Sequence, residues 1–231
     1  LDAVDRIIGG LEKKNKIIKP REKKTIAYHE AGHASVSWLL EHANPLVKVT
    51  IVPRGQALGA AWYLPEERQI TTKAQLLDQM VSLLGGRAAE ELVFGEVSTG
   101  ALNDLERVTK QAYAMVVYYG LDKEIGNLSF YDSSGQSEYG FQKPFSEKTA
   151  EKIDAQIRPM VEEAYEKAKS LLKDNREKLD ALAQILVERE VIFREDVEAI
   201  YGPRPWDAEK ETKEDASQIK NEESESTDEN A

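Results

Sequence analysis

The stretch Ala27-Tyr28-His29-Glu30-Ala31-Gly32-His33-Ala34 decides how the rest of the chain is read. Residues four apart share one face of a helix, so a helical conformation here lets both imidazoles reach one tetrahedral metal ion. Glu30 then stands one step round, close to that ion without binding it. There it can take a proton from an activated water and return it to a leaving amine. The spacing is H-E-x-x-H, whose chemistry depends on this helical register. The flanks support a helix: Pro20 suits a first turn, the segment runs to about His42, and Asn44-Pro45 closes it. Gly32 costs about 1 kcal/mol against Ala inside a helix, which implies the close approach of another element.

A zinc site of this kind needs a third protein ligand, with water in the fourth position. The longer pattern that would supply a third histidine fails, because Val36 and Leu39 occupy its Gly and His positions. His42 reads as a helix-terminal histidine favoured by the dipole. A carboxylate is therefore expected. Asp104 aligns with Val108, Ala112, Met115 and Val116 on an apolar stripe, and Glu90 and Glu91 lie on a similarly apolar helix. A carboxylate on such a stripe is tolerated when a cation meets it. Spacing alone leaves these three acids open, together with a buried carboxylate paired to Arg87 or Arg107 and no metal.

Outward from the motif, Leu46–Val52 reads as a strand, with Ala60–Leu64 as its hairpin partner. Helical spacing of Leu77, Met80, Val81, Leu84, Ala88 and Leu92 predicts a helix from Thr72 to Phe94. A further helix opens after Ser98-Thr99-Gly100 and runs to about Tyr119. Leu128–Tyr131 reads as a short strand and Asp132–Lys143 as a loop. After the N-cap Ser146, helices run to about Asp174, from Asn175 to Arg189, and over Arg194–Ile200. The class is mainly α with a small sheet.

The 231 residues suit one domain or slightly more. No window approaches the roughly 18 consecutive apolar residues of a membrane span. With no cysteine, disulfides and thiolate metal sites are excluded. Much of the net charge of −11 sits in residues 207–231, whose ten acids, three bases and single large aliphatic residue Ile219 read as a disordered tail. Lys13–Lys24 carries seven bases against one acid but no interleaved aromatics, so it reads as linker and helix start, not as a nucleic-acid site.

Five stretches in order resemble the protease domain of FtsH-type membrane-anchored AAA+ zinc metalloproteases. They are Asp2-Ala-Val-Asp-Arg6, Ala27–Ala34, Val49-Thr-Ile-Val-Pro-Arg-Gly55, Leu84-Gly-Gly-Arg-Ala-Ala-Glu-Glu91 and Ser98-Thr-Gly-Ala-Leu-Asn-Asp-Leu105. The resemblance covers nearly everything from Leu1 to about Tyr201. It implies a zincin-like helical metalloprotease domain with a small β element and a helical C-terminal part. It implies Zn²⁺ held by His29, His33 and Asp104, Glu90 orienting an imidazole, and substrate laid along an edge strand at Val49, Thr50, Ile51 and Val52. It also implies boundaries, 1–19 as the end of an AAA+ module and linker and 20–202 as the protease domain; the remainder, 203–231, lies outside the resemblance and is read as a disordered acidic tail.

The chain has no G-x-x-x-x-G-K-[ST] phosphate loop, so ATP would enter only through an AAA+ module outside it. The parent protein implied by the resemblance is a homo-hexamer that threads unfolded or membrane-extracted polypeptides into the zinc site. It sits in a bacterial inner membrane, or alternatively a mitochondrial one, with this fragment soluble. The competing class is a non-enzymatic helical assembly module whose acidic tail recruits a partner. A third is a zinc peptidase of small peptides unrelated to any ATPase.

Overall fold

The computed structural model describes residues 19–53, 58–64, 69–131, 144–204 and 206. The lead-in expected over 1–10, the loop over 132–143 and the acidic tail from 207 lie outside the described residues.

Helix α1 (Pro20–Trp38) carries the metal motif. Pro20 opens it with a φ suited to a first turn, and Glu22 reaches back to accept from the Lys19 N–H at 3.2 Å. From His29 to Trp38 every residue is buried, so the helix is central and not a one-sided surface element. It ends four residues before the expected His42. Residues beyond it turn instead: the Leu40 and Ala43 carbonyls accept from the Arg204 guanidinium, and the His42 N–H reaches Asp78.

Helix α2 (Lys73–Phe94) is opened by a reciprocal cap between Thr72 and Gln75 and closed by Gly95 at φ +70°. It crosses α1 where Gly32 faces Gly85. A Cβ on Gly32 would stand 2.4 Å from the Gly85 carbonyl oxygen, which is the close approach the sequence implied.

A 3₁₀ turn (Thr99–Ala101) leads into α3 (Leu102–Tyr113), and the last turn of that run widens into a π-helix over Ala114–Tyr118. Three consecutive residues of this widened turn, Met115, Val116 and Val117, are buried in the core. Helix α4 (Glu147–Asp174) lies across α2, and α5 (Arg176–Arg189) packs on α1. Helix α6 spans Arg194–Tyr201. Leu128–Tyr131 is not a strand: Phe130 donates a single bond to the Val117 carbonyl and no ladder forms.

Strands β1 (Leu46–Thr50), β2 (Ala60–Tyr63) and β3 (Val191–Phe193) form an antiparallel sheet in the order β2-β1-β3. Val49 pairs with Ala61 on one side and Ile192 on the other. The strand expected to offer an edge to substrate is therefore the central one. The hydrophobic core runs continuously from α1 through α2 and α5 to Val49 and Ile192. Arg204, which the sequence assigns to the tail, is 3% exposed and bonded to α1's exit, so the packed chain continues past residue 202.

Candidate metal centre

His29 and His33 project from adjacent turns of α1 with ring planes 81° apart and centroids 4.7 Å apart. Their Nε2 atoms approach to 3.1 Å, and Asp104 Oδ2, delivered by the first turn of α3, lies 3.4 Å from one and 3.5 Å from the other. Among the described residues these three side chains form a group whose ligand atoms all lie within 4.8 Å of one another.

Each ring is fixed from behind. His33 Nδ1 sits 2.9 Å from the Ser82 carbonyl of α2. A carbonyl only accepts, so that nitrogen carries the proton and Nε2 presents a lone pair. His29 Nδ1 lies 2.7 Å from Glu90 Oε1, one turn along α2 from the Gly32–Gly85 crossing. Glu90 also accepts from the Ser98 N–H at 2.6 Å and the Ser98 hydroxyl at 3.1 Å. One carboxylate thus orients an imidazole and anchors the turn that launches Asp104. Gly86 makes room for the His29 ring, since a Cβ there would stand 2.6 Å from Nε2.

The electrostatics follow from this arrangement. Two lone pairs and a carboxylate oxygen facing one another repel unless a cation lies between them. In the metal-free state a proton plays that part. Burial works against charge on His29, but hydrogen bonding to Asp104 and Glu90 outweighs it and raises the ring to about 10. Burial likewise opposes ionisation of Asp104, yet the two imidazoles hold it well below the usual carboxylate range. Glu90 is pulled down by His29 and Ser98 against its own burial. Two imidazole nitrogens and one carboxylate oxygen, each supported by an outer partner, are a donor set that fits Zn²⁺ with a position left for water.

Glu30 is 7% exposed, and burial pushes its carboxyl up despite the imidazoles nearby. It faces Gly59, where a Cβ would stand 2.6 Å from Oε1. The start of β2 therefore passes directly over this carboxylate.

Other sequence candidates lie elsewhere. Glu91 turns away to Tyr165 and Lys169 of α4. His42 lies beside Asp78. Asp104 pairs with imidazoles, not with Arg87 or Arg107. Val49, Thr50 and Ile51 are buried with β1 bonded on both sides, and the Val52 N–H turns to the Thr50 hydroxyl at 3.1 Å. Gly59, Gly86 and Ser98 were not singled out as site residues from sequence. The Gly85-Gly86 pair inside an apolar helix was the available signal, since two glycines there demand close neighbours.

A sequence-family profile described as Peptidase family M41 matches residues 16–200. The chain is 65% identical over 206 residues to an ATP-dependent zinc metalloprotease FtsH of Parabacteroides distasonis, covering 89% of this chain and 30% of that protein. It is 56% identical over 209 residues to the FtsH of Rhodothermus marinus, covering 88% and 30%. It is 48% identical over 204 residues to the mitochondrial inner membrane m-AAA protease component AFG3L2 of Mus musculus, covering 88% and 25%. The chain thus spans less than a third of the length of each of these relatives.

Proposed function

The chain belongs to peptidase family M41, as a zinc metalloendopeptidase domain of the FtsH type, and we propose that it cleaves extended polypeptide at a zinc ion held by His29, His33 and Asp104. The observation that carries the ligand assignment is the convergence of His29 Nε2, His33 Nε2 and Asp104 Oδ2 with both Nδ1 atoms already engaged. Zinc bound there supplies a Lewis acid to the scissile carbonyl and the attacking water.

The chain's own residues do the rest. Glu30, whose carboxyl burial pushes up, takes the proton of the attacking water and passes it to the leaving amine nitrogen. Glu90 holds His29 and the Asp104-bearing turn in register. Substrate main chain adds to the outer edge of β2, which has no partner strand among the described residues and follows directly on Gly59 beside Glu30. Such pairing reads backbone more than side chains, so it accepts many sequences.

In the whole protein we place this domain below an AAA+ module in a homo-hexamer, fed with unfolded or membrane-extracted chains by ATP hydrolysis. The names of the relatives support the ATP dependence and, for the mouse protein, an inner-membrane setting. Among the described residues no helix is long and apolar enough to cross a membrane, so anchorage would come from other segments. Residues before 20 fit the end of the AAA+ module and its linker, and those after 206 an acidic tail.

The test is zinc per chain for the wild type and Asp104→Asn, beside cleavage by Glu30→Gln. About one zinc in the wild type, sharply reduced in Asp104→Asn, with metal retained but hydrolysis lost in Glu30→Gln, is the expected result. Unchanged zinc in Asp104→Asn would move the third ligand elsewhere. A correctly folded wild type that takes up no zinc would favour a non-enzymatic assembly module.

A further inference from the structure

Behind His33 lies a group of hydroxyls that the catalytic assignment leaves unused. Ser37, one turn along α1 and 2% exposed, places its Oγ 2.8 Å from the His33 carbonyl and 3.0 Å from the phenol oxygen of Tyr63, the last residue of β2. The same Oγ contacts the Ser82 hydroxyl of α2. The carbonyl of that serine receives His33 Nδ1.

A hydroxyl has one proton and two lone pairs. The His33 carbonyl only accepts, so the Ser37 proton goes there, and Ser37 accepts from Tyr63 and Ser82. Burial holds the Tyr63 phenol well above the usual tyrosine range, which keeps it a donor. Every proton in the group then has a direction, and the directions lock together three elements: the helix of the ligands, the helix that orients them, and the strand beside Glu30.

We propose that Tyr63, Ser37 and Ser82 form a positioning device for His33, fixing the Ser82 carbonyl that sets its tautomer and tying that setting to strand β2. The inference rests on His33 being a zinc ligand. Without the device the Ser82 carbonyl and the His33 ring gain freedom, and the ring's Nε2 no longer holds one direction. Partners of this outer kind typically alter metal affinity or activity by about 10–100-fold. The effect here passes through one further atom, so the lower end is expected.

The experiment uses the 231-residue chain carrying Tyr63→Phe or Ser37→Ala. Zinc affinity is read by chelator competition, ligand geometry by the visible absorption of cobalt(II) put in place of zinc, and kcat and KM on casein as an unfolded polypeptide. Expected are zinc binding about tenfold weaker, a shifted cobalt band, and a lower kcat with KM unchanged. Tyr63→Phe preserves the ring and its packing, so it carries the test should Ser37→Ala unfold. Zinc affinity within twofold of wild type and an unchanged cobalt band would overturn the device, whatever the melting temperature does, because a merely structural role moves only the latter. A raised KM with kcat intact would also overturn it, by assigning Tyr63 to the peptide edge alone. A wild type that binds no zinc would instead remove the ligand assignment on which the device rests.

Discussion

A single methyl group meets something different at each of three glycines. At Gly59 it meets the far end of the flexible Glu30 side chain, 2.6 Å away. Gly59→Ala should therefore leave the melting temperature and zinc content close to wild type while abolishing cleavage. Retained cleavage would show that Glu30 has another resting place. At Gly32 the methyl meets backbone, so Gly32→Ala should cost about 1–3 kcal/mol of stability in chemical denaturation, as overpacking does. At Gly86 it meets the His29 ring, and zinc binding should suffer before folding does. Protonation gives a further prediction. In metal-free protein His29 is raised from 6.5 to about 10, so the stability it confers is complete below about pH 6.5 and is lost as pH rises through about 10. Thermal melts of the chelated protein should fall over that window, and the zinc-loaded protein should not follow this curve, its metal having replaced the proton. A flat profile for the chelated protein would sink the assignment.

Among elements, those with strong local punctuation were legible from sequence. Ser146 and the Pro20 turn marked helix starts to within a residue or two, and apolar spacing carried α2 to Phe94. What escaped was decided by long-range partners. Val191–Phe193 is too short to declare itself, and its pairing to β1 turned an expected edge strand into a central one. The π turn at Ala114–Tyr118 keeps the helical pattern while shifting its phase. The end of α1 depends on Arg204, more than 160 residues away. The weight of β3 can be measured: Ile192, fully buried opposite Val49, should cost about 2–5 kcal/mol on Ile192→Ala. A loss below about 1 kcal/mol would mean β3 is a passive flank of the sheet.

For the molecule as a whole, the border expected at residue 202 leaves out Arg204, which is 3% exposed. Arg204 donates to the Leu40 and Ala43 carbonyls, and Trp38 donates to the Gly202 carbonyl, so the last packed residues hold the exit of the ligand helix. Truncation after Trp206 should leave the melting temperature unchanged, whereas truncation after Gly202 should lower it measurably, since buried carbonyls lose a charged donor. Equal melting temperatures would place the stabilising contacts elsewhere. The candidate site was legible in its inward half, the two histidines and Glu30, because four-residue spacing fixes geometry within one helix. The choice among Asp104, Glu90 and Glu91 was not, because it depends on how two helices cross. Glu90 carries the last consequence. Since it answers to both His29 and Ser98, a displacement of the turn before Asp104 is passed straight to the His29 ring on α1, so the two sides of the centre tighten or slacken together.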